Sequence, residues 1–303
     1  MSIVFTVAIP SYNRENLLKL NLDITIKQVL SSEIKGEILV IDDFSNDETI
    51  KLLKEYKALY PENFRYFTHN INRGIAKTRN HLVKEAKGKY IIFIDSDVIP
   101  SQNLIKNHLE SLLSEKNIIC QGSLILSSNL ENISAKKFNP FTDFSRAYFD
   151  TANVSVEKEK IIAAGYFDEN FTGYGWEDLE LGIRLKKSGL KIVRNKKAYA
   201  YHYQPGLSLD DMDKLIIKEK ERARGAVYFA KKHPSFEVKL MTQITSFHLQ
   251  LDKMLEKITN TKFFLNYLYK LEQKKDYNKL IPLYRLYLNH FNILELKKII
   301  NKP

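Results

Sequence analysis

The chain has 303 residues, with 47 Lys and Arg against 36 Asp and Glu, so its formal net charge is +11. Its 44% hydrophobic and 27% charged residues are typical of a folded protein with a sizeable core and exclude a disordered chain. The single Cys120 excludes an internal disulfide framework and a cysteine-based zinc site, and no apolar run approaches the about 20 residues that span a bilayer.

The first half of the chain alternates short β-branched or aromatic runs with helical stretches. The predicted strands are residues 4–9, 38–41, 64–67, 90–94 and 118–126. The predicted helices between them are residues 15–30, 48–60, 75–86 and 103–113. This pattern predicts a Rossmann-like α/β fold with a mostly parallel sheet and flanking helices. Ligands of such sheets bind beyond the carboxyl ends of the strands, so we look for chemistry in the polar residues there.

The last third has a different pattern, with long helical segments that hold 19 Lys and Arg against 11 Asp and Glu in residues 210–303. Apolar residues in 263–271 and 281–288 predict a helical hairpin that turns at residues 274–276. We therefore predict a domain over residues 1–209 and an α-helical appendage over 210–303. Its role is open between peripheral membrane contact, homo-oligomer formation, acceptor docking and a plain solvated face.

The sequence also bears on location and on nucleic acids. Residues 3–10 are apolar but lack the basic flank and cleavage site of a signal peptide, so we expect a first strand and a cytoplasmic location. Peripheral attachment at the inner face of a membrane is the alternative. The basic residues accompany no nucleic-acid-binding motif, so we expect no nucleic acid partner.

Polar residues follow the first two predicted strands. Tyr12, Asn13 and Arg14 offer a ring that can stack on a base and groups that can bind its edge. Asp42 and Asp43 suit hydrogen bonds from a base N–H or from ribose hydroxyls. The alternative is that both carboxylates merely finish the turn.

Two further groups follow the third and fourth strands. Residues 72–80 combine Gly74 with three cations at a predicted helix start, where phosphate groups bind well. Asp95 and Asp97 follow the buried strand 90–94, and strand alternation predicts that both carboxylates point the same way. Two such oxygen ligands suit Mg²⁺ or Mn²⁺ carrying a diphosphate.

A later block, residues 173–185, contains two glycines and Trp176 before Glu177 and Asp178 open an amphipathic helix. Carboxylates in the first turn of a helix can simply stabilise its dipole, and for this block taken alone that interpretation is favoured over a functional one. Residues 198–203 predict a strand that carries His202 near its end. The imidazole of His202 would complement the carboxylates of the fourth strand as a metal ligand.

Over about residues 3–205, these blocks in this order and spacing resemble the family 2 glycosyltransferases of the GT-A fold. The resemblance rests on the runs Val-Ala-Ile-Pro-Ser-Tyr-Asn-Arg, Val-Ile-Asp-Asp-Phe-Ser-Asn-Asp-Glu-Thr, Asn-x-Gly-x-Ala-x-x-Arg-Asn and Asp-Ser-Asp. The Gly-Tyr-Gly-Trp-Glu-Asp block and His202 are similar to the catalytic region of β-galactosyltransferases, polypeptide N-acetylgalactosaminyltransferases and bacterial chondroitin-type polymerases. The family often has glycine where this chain has Phe44 and Ala152.

The resemblance implies a role for individual residues. The donor-binding residues that it implies are Pro10, Tyr12, Arg14, Asp42, Asp43, Arg79, Asp95, Ser96 and Trp176. The ligands that it implies for an Mn²⁺ or Mg²⁺ ion are Asp95, Asp97 and His202. Asp178 is implied as the general base, with Glu177 and Trp176 shaping the sugar and acceptor sites.

The activity that the resemblance implies is polysaccharide biosynthesis by a hexosyltransferase. It would move a hexose or N-acetylhexosamine from a UDP-sugar to a hydroxyl of a glycan, lipid-linked or polypeptide acceptor, with inversion in a single displacement. The alternatives are a retaining transferase of the polypeptide type, a sugar-nucleotide nucleotidyltransferase and a non-catalytic scaffold. A nucleotidyltransferase would carry a glycine-rich basic loop after its first strand, which this chain does not have, and every carboxylate expected of a transferase is present, which argues against a scaffold.

Overall fold

The computed structural model describes residues 2–127, 148–204, 208–259 and 261–300. These residues divide into two compact units. The first, which we call the sheet unit, falls within Met1–Asn170 and Glu177–Pro205, and the second, the helical unit, within Phe171–Trp176 and Gly206–Pro303. The separate functions predicted for two domains stay a prediction.

The sheet unit is built on one eight-stranded sheet. Its strands are β1 (Phe5–Ser11), β2 (Gly36–Asp42), β3 (Phe64–Thr68), β4 (Tyr90–Ile94), β5 (Val98–Pro100), β6 (Ile118–Ser127), β7 (Asn153–Glu157) and β8 (Lys191–Tyr203). They lie in the order β3-β2-β1-β4-β7-β6-β8-β5. Strand β7 is antiparallel to both of its neighbours and β5 is antiparallel to β8, while the other described pairings are parallel. The predicted mixed α/β class is confirmed.

Helices cover both faces of this sheet. They are α1 (Glu15–Leu30), α2 (Thr49–Leu59), α3 (Ile75–Glu85), α4 (Leu104–Ser114), α5 (Lys158–Ala163) and α6 (Glu177–Lys187). Val7 of β1 belongs to one apolar cluster with Leu18 of α1, whereas the next residue, Ala8, belongs to another with Leu82 of α3. Successive side chains of a strand point to opposite faces, so β1 is buried on both sides.

Two strands were not predicted. Strand β5 has only three residues, and β7 occupies Asn153–Glu157, where no strand was predicted. Strand β7 buries two polar residues, Asn153 and Ser155, both of which bind the ring of His108 at 2.8 Å. A buried strand with these polar residues lacks the continuous apolar run that marks one in a sequence.

Gly122 of β6 allows a close approach of chain segments at this polar network. The side-chain amide of Asn153 donates to the carbonyls of Ser123 and Ala198 at 3.0 and 2.9 Å. A Cβ atom on Gly122 would lie 2.3 Å from both the Ala198 carbonyl oxygen and the Asn153 amide nitrogen. We therefore expect Gly122→Ala to lower the free energy of unfolding by about 1–3 kcal/mol, measured by urea denaturation. Leu126→Val, on an exposed side chain of the same strand, is the control and should change it much less.

The helical unit is made of helices that pack on one another. It has a short 3₁₀ turn (Leu209–Asp211), α7 (Met212–Lys232), α8 (Phe236–Met241), α9 (Ser246–Thr259), α10 (Lys262–Gln273) and α11 (Tyr277–Ile300). The predicted hairpin is present, because α10 and α11 contact each other and share a core that includes Phe264, Leu268 and Tyr284. Among the helices of the described residues, none is both long enough and apolar enough to cross a bilayer.

Candidate active site

The loops after β1 and β2 are joined by hydrogen bonds. The backbone N–H of Asn13 donates to Ser45 Oγ, and that of Asn46 donates to Asn13 Oδ1, both at 2.8 Å. Next to this junction, Tyr12 is 47% exposed and Phe44 is 51% exposed with a φ of 71°. A positive φ is unstrained only for glycine, so the backbone at Phe44 has the conformation that would suit the glycine expected there from the resemblance. The junction leaves the ring of Tyr12 available for stacking.

Pro10 lies in β1, directly before these loops. Residues Phe5–Ala8 pair with β4 on one side, whereas pairing with β2 on the other side continues to Ser11. Proline has no backbone N–H, and it is tolerated here because the β4 ladder has already ended. The end of the β4 pairing thus explains why a proline is tolerated at position 10. Its place in a uridine pocket stays a prediction.

Asp42 and Asp43 are buried at the end of β2, where Asp42 is held by its own loop and Asp43 by the loop after β3. The Asp42 carboxylate accepts hydrogen bonds from the N–H and the hydroxyl of Ser45, and burial raises its pKa. The Asp43 carboxylate accepts from the backbone N–H groups of Arg73 and Gly74 at 2.8 Å and contacts a ring nitrogen of His69 at 2.7 Å. The turn after β2 accounts for Asp42, and bonds to the loop after β3 account for Asp43. Contact of either carboxylate with a base or ribose stays a prediction.

Asp95, Ser96 and Asp97 lie in the turn between β4 and β5, where the N–H of Val98 donates to the carbonyl of Asp95 at 3.0 Å. Strand alternation therefore does not set the directions of the two carboxylates. Asp95 accepts from Arg79, whereas Asp97 faces His202. Ser96 is buried within the turn.

The Asp97 carboxylate lies 3.6 Å from Nε2 of His202 and 3.9 Å from Nε of Arg14. The contact between Asp97 and His202 depends on strand β5, because its pairing with β8 sets Val98 opposite His202. Burial, and then the neighbouring charge of Asp95, raise the pKa of Asp97. A carboxylate oxygen and an imidazole nitrogen are ligands that Mn²⁺ accepts. Within the described residues, no three His, Cys, Asp or Glu side chains converge on one point.

Arg79 of α3 bridges two carboxylates. Its guanidinium donates to Asp95 Oδ1 at 3.0 Å and to Glu177 Oε1 at 2.5 Å. The side chains of Arg79 and Glu177 are 5% and 6% exposed, and one nitrogen and one oxygen of this pair are buried without a hydrogen-bond partner. Burial lowers the pKa of Arg79, but the negative charges of Asp95 and Glu177 raise it by more. Arg79 thus joins α3, the end of β4 and the start of α6, and its contact with a diphosphate stays a prediction.

Asp178 is the second residue of α6 and is half-buried, with one carboxylate oxygen accepting from the N–H of Leu179 at 2.7 Å. Burial first, and then the charges of Glu177 and Asp150, raise its pKa well above the usual value of an aspartate. A carboxylate with a raised pKa is a stronger base, so the environment of Asp178 suits proton abstraction.

Asp150, three residues before the start of β7, was not among the residues predicted from the sequence. Its carboxylate accepts from the N–H of Ala152 at 3.1 Å. Burial raises its pKa, and its electrostatic neighbours include Asp95 and His202 as well as Asp178. Strand β7 places Asp150 near the site, because it is antiparallel to β4 and its first residue, Asn153, pairs with the last residue of β4, Ile94. The beginning of β7 therefore lies at the sheet edge where the parallel strands end. The charge of Asp150 therefore interacts both with Asp95, directly after β4, and with Asp178 of α6.

Trp176 belongs to the helical unit. Its indole N–H donates to the carbonyl of Arg222 at 2.8 Å, and the Arg222 guanidinium lies 5.3 Å from the ring centre. Its φ of 81° is unusual for a bulky residue. These contacts fix the indole, and its part in donor or acceptor binding stays a prediction.

Comparison with known sequences decides the family. The sequence model of a family described as "Glycosyl transferase family 2" matches residues 6–167, which is more than half of the chain. The chain belongs to glycosyl transferase family 2. A second model, described as the N-terminal domain of galactosyltransferase, matches residues 134–205 of this glycosyltransferase. Membership of the family confirms a transferase and rules out the nucleotidyltransferase alternative.

Curated relatives of this glycosyltransferase include an uncharacterised glycosyltransferase, YfnE, of Bacillus subtilis. The two are 26% identical over 267 residues, which cover 69% of this chain and 67% of YfnE. A chondroitin synthase of Escherichia coli is 26% identical over 254 residues, which cover 70% of this chain. The chain spans only 36% of the length of that synthase.

Solved structures share the GT-A fold with this glycosyltransferase. A mannosyltransferase of Pyrobaculum calidifontis, in complex with GDP-Man and Mn²⁺, has a TM-score of 0.63 at 14% identity and covers 100% of this chain and 89% of its own. Residues 1–349 of TarS from S. aureus, in complex with UDP-GlcNAc, have a TM-score of 0.54 at 15% identity and cover 99% and 93%. The predicted GT-A architecture is confirmed.

Proposed function

We propose that this family 2 glycosyltransferase moves a hexose or N-acetylhexosamine from a UDP-sugar to a hydroxyl of a glycan, lipid-linked or polypeptide acceptor. The proposed transfer depends on a divalent cation and inverts the anomeric configuration. One observation carries the proposal: the Arg79 guanidinium binds both Asp95, in the turn that also holds Asp97, and Glu177, which directly precedes Asp178 in α6. The candidate metal ligands and the candidate base thus belong to one acidic cluster.

Asp178 supplies the base chemistry in this proposal. Its carboxylate takes the proton of the acceptor hydroxyl, and the acceptor oxygen forms a bond to C1 of the sugar. The bond between C1 and the diphosphate oxygen breaks at the same time, and its electron pair leaves with UDP. A general base placed in this way typically contributes 10²–10⁴-fold in rate.

Asp97 and His202 would hold Mn²⁺ or Mg²⁺ in this proposal, together with oxygens of the diphosphate. Their contact, 3.6 Å between a carboxylate oxygen and an imidazole nitrogen, fits the donor types that these ions accept. Such an ion offsets the negative charge that develops on the leaving diphosphate. Two observations support uridine as the nucleoside of the donor. They are the exposed ring of Tyr12 and the UDP-GlcNAc complex of the TarS structure.

Replacing either Asp97 or His202 by Ala should weaken Mn²⁺-dependent UDP binding. We expect a loss of at least about tenfold, since even residues that only support a metal ligand contribute 10–100-fold. Calorimetry with and without EDTA measures it, and the variants should match the wild type when EDTA is present. His248→Ala, which removes an imidazole from the helical unit, is the control. Unchanged affinity in either site variant would remove that residue from the metal site.

The rate of transfer should fall as the pH decreases toward the raised pKa of Asp178. The base acts only when deprotonated, so activity is present above this pKa and is lost below it. We expect the acid limb of kcat at a higher pH than the about 3.9 of an ordinary aspartate. UDP affinity measured over the same range is the control. If UDP affinity were lost with the same midpoint, the acid limb of kcat would belong to the donor site and not to Asp178.

Donor specificity is the direct test of the proposed function. The protein is incubated with Mn²⁺ and a panel of UDP-sugars and GDP-sugars, and release of the nucleoside diphosphate is followed without acceptor. We expect slow hydrolysis of one UDP-sugar, which EDTA abolishes. Hydrolysis of a GDP-sugar alone would overturn the uridine assignment, and release that survives EDTA would overturn the metal dependence. Once an acceptor is found, the anomeric configuration of the product, determined by NMR, tests inversion.

A further inference from the structure

One face of α9 exposes large apolar side chains. Phe247, Leu251 and Met254 are 68%, 41% and 72% exposed. Their spacing of four and three residues places them in one row along the helix, because neighbours on a helix surface are three or four residues apart. Scattered exposed apolar residues are ordinary, but an aligned row of this kind marks an interaction surface.

The orientation of α9 keeps this row outward. On another side of the helix, Asp252 is buried and binds two residues of α11, Nδ1 of His290 at 2.9 Å and Nζ of Lys297 at 2.8 Å. Turning the row inward would break these bonds and leave a buried carboxylate without partners, which is strongly unfavourable. The exposed row is therefore a fixed feature of the helical unit.

Helix α10, which contacts α9, has the same arrangement. Phe263 is 81% exposed and Tyr267 is 40% exposed, while Phe264, Leu268 and Leu271 are buried in the core of the unit. We call the exposed apolar residues of the two helices, together with the lysines beside them, the α9–α10 face. Its apolar members are Phe247, Leu251, Met254, Phe263 and Tyr267.

The charge of the α9–α10 face has one sign. Its lysines, all exposed, are Lys253, Lys257, Lys262 and Lys270. The acids of the described residues 246–259 and 261–273 are buried or half-buried. Asp252 is bound to α11, and Glu272 accepts from the backbone N–H of Leu209 at 2.8 Å. The face therefore combines exposed apolar side chains with exposed lysines of the same two helices.

We propose that the α9–α10 face docks on the surface of a bilayer containing anionic lipids. Aromatic and aliphatic side chains of an amphipathic helix insert at the boundary between headgroups and acyl chains, and lysines beside them bind lipid phosphates. A second copy of the chain fits this face less well, since self-association would bring the same lysines against one another in a partly desolvated contact.

Sedimentation with vesicles tests the proposal on the full-length chain. We expect binding to vesicles of equal parts phosphatidylglycerol and phosphatidylcholine, weak binding to pure phosphatidylcholine, and binding that decreases with added salt. Phe247→Ser/Met254→Ser and Lys253→Glu/Lys257→Glu should each lower the affinity for the anionic vesicles at least about tenfold. Lys51→Glu/Lys54→Glu and Leu59→Ser, on exposed positions of α2, are the matched controls and should bind as the wild type does.

Three outcomes would overturn the proposal. They are equal binding of the α9–α10 variants and the wild type, no preference for anionic vesicles, and a dimer in light scattering that Phe247→Ser/Met254→Ser dissociates without vesicles present. Circular dichroism and thermal melting establish that each variant is folded. Because these readouts do not involve the acid cluster, failure of membrane binding leaves the proposed transfer reaction untouched, and the reverse also holds.

Discussion

Asp178→Asn should abolish transfer while nucleotide binding remains close to that of the wild type. We expect kcat to fall by about 10²–10⁴-fold, because the amide cannot accept the proton of the acceptor hydroxyl. Single-turnover transfer measures the loss, and calorimetric titration with UDP and Mn²⁺ measures the binding. Retention of the transfer rate would show that another group is the base.

The same substitution should not destabilise the protein. An acid whose pKa is raised by folding stabilises the folded state when it is protonated, and this contribution is lost as the pH rises through its folded-state pKa. At neutral pH, which is above the ordinary pKa of an aspartate, Asp178 therefore lowers the free energy of unfolding, and a neutral amide of the same shape should raise the melting temperature. Lost activity with gained stability would separate a catalytic role from a structural one. A drop in melting temperature would instead favour the helix-dipole role of Asp178.

Arg79→Met should lower the free energy of unfolding by about 3–5 kcal/mol, because it leaves Glu177 buried without its partner and Asp95 without its hydrogen bond. Urea denaturation of the protein without ligand measures it. The double variant Arg79→Met/Glu177→Gln should recover part of the loss, since it removes the unpaired charge. A cost below about 1 kcal/mol for the single variant would contradict the bridging role.

Secondary structure was predicted most accurately where the buried residues recur at a regular spacing along the chain. Helix α1 was predicted over residues 15–30 and has those bounds, because Leu18, Leu22, Ile26 and Val29 repeat at helical spacing against the sheet. The strand-end rule likewise located Asp42, Asp43 and Asp95 at one edge of the sheet.

The rest depends on contacts between segments far apart in the chain. Strand β7 enters the sheet antiparallel, so its first residues, and not its last, lie at the site, and a rule for parallel strands passes over Asp150. The partner of Arg79 is 98 residues away, and a cation at a helix start looks the same whether it meets a phosphate or a buried Glu177. Strand β5, with three residues, is set by its register with β8 and not by its own composition.

The order of the strands also has a consequence for synthesis of the chain on the ribosome. Strands β1 to β4 can pair with one another once residue 94 has emerged, but the neighbour that covers the free side of β4 is β7, at Asn153–Glu157. Until those residues are made, β4 is an open edge whose own residues Ile91–Ile94 are all apolar, and such edges pair readily with other chains. The nascent protein is therefore most vulnerable to aggregation midway through translation, before the residues of its acidic cluster can meet.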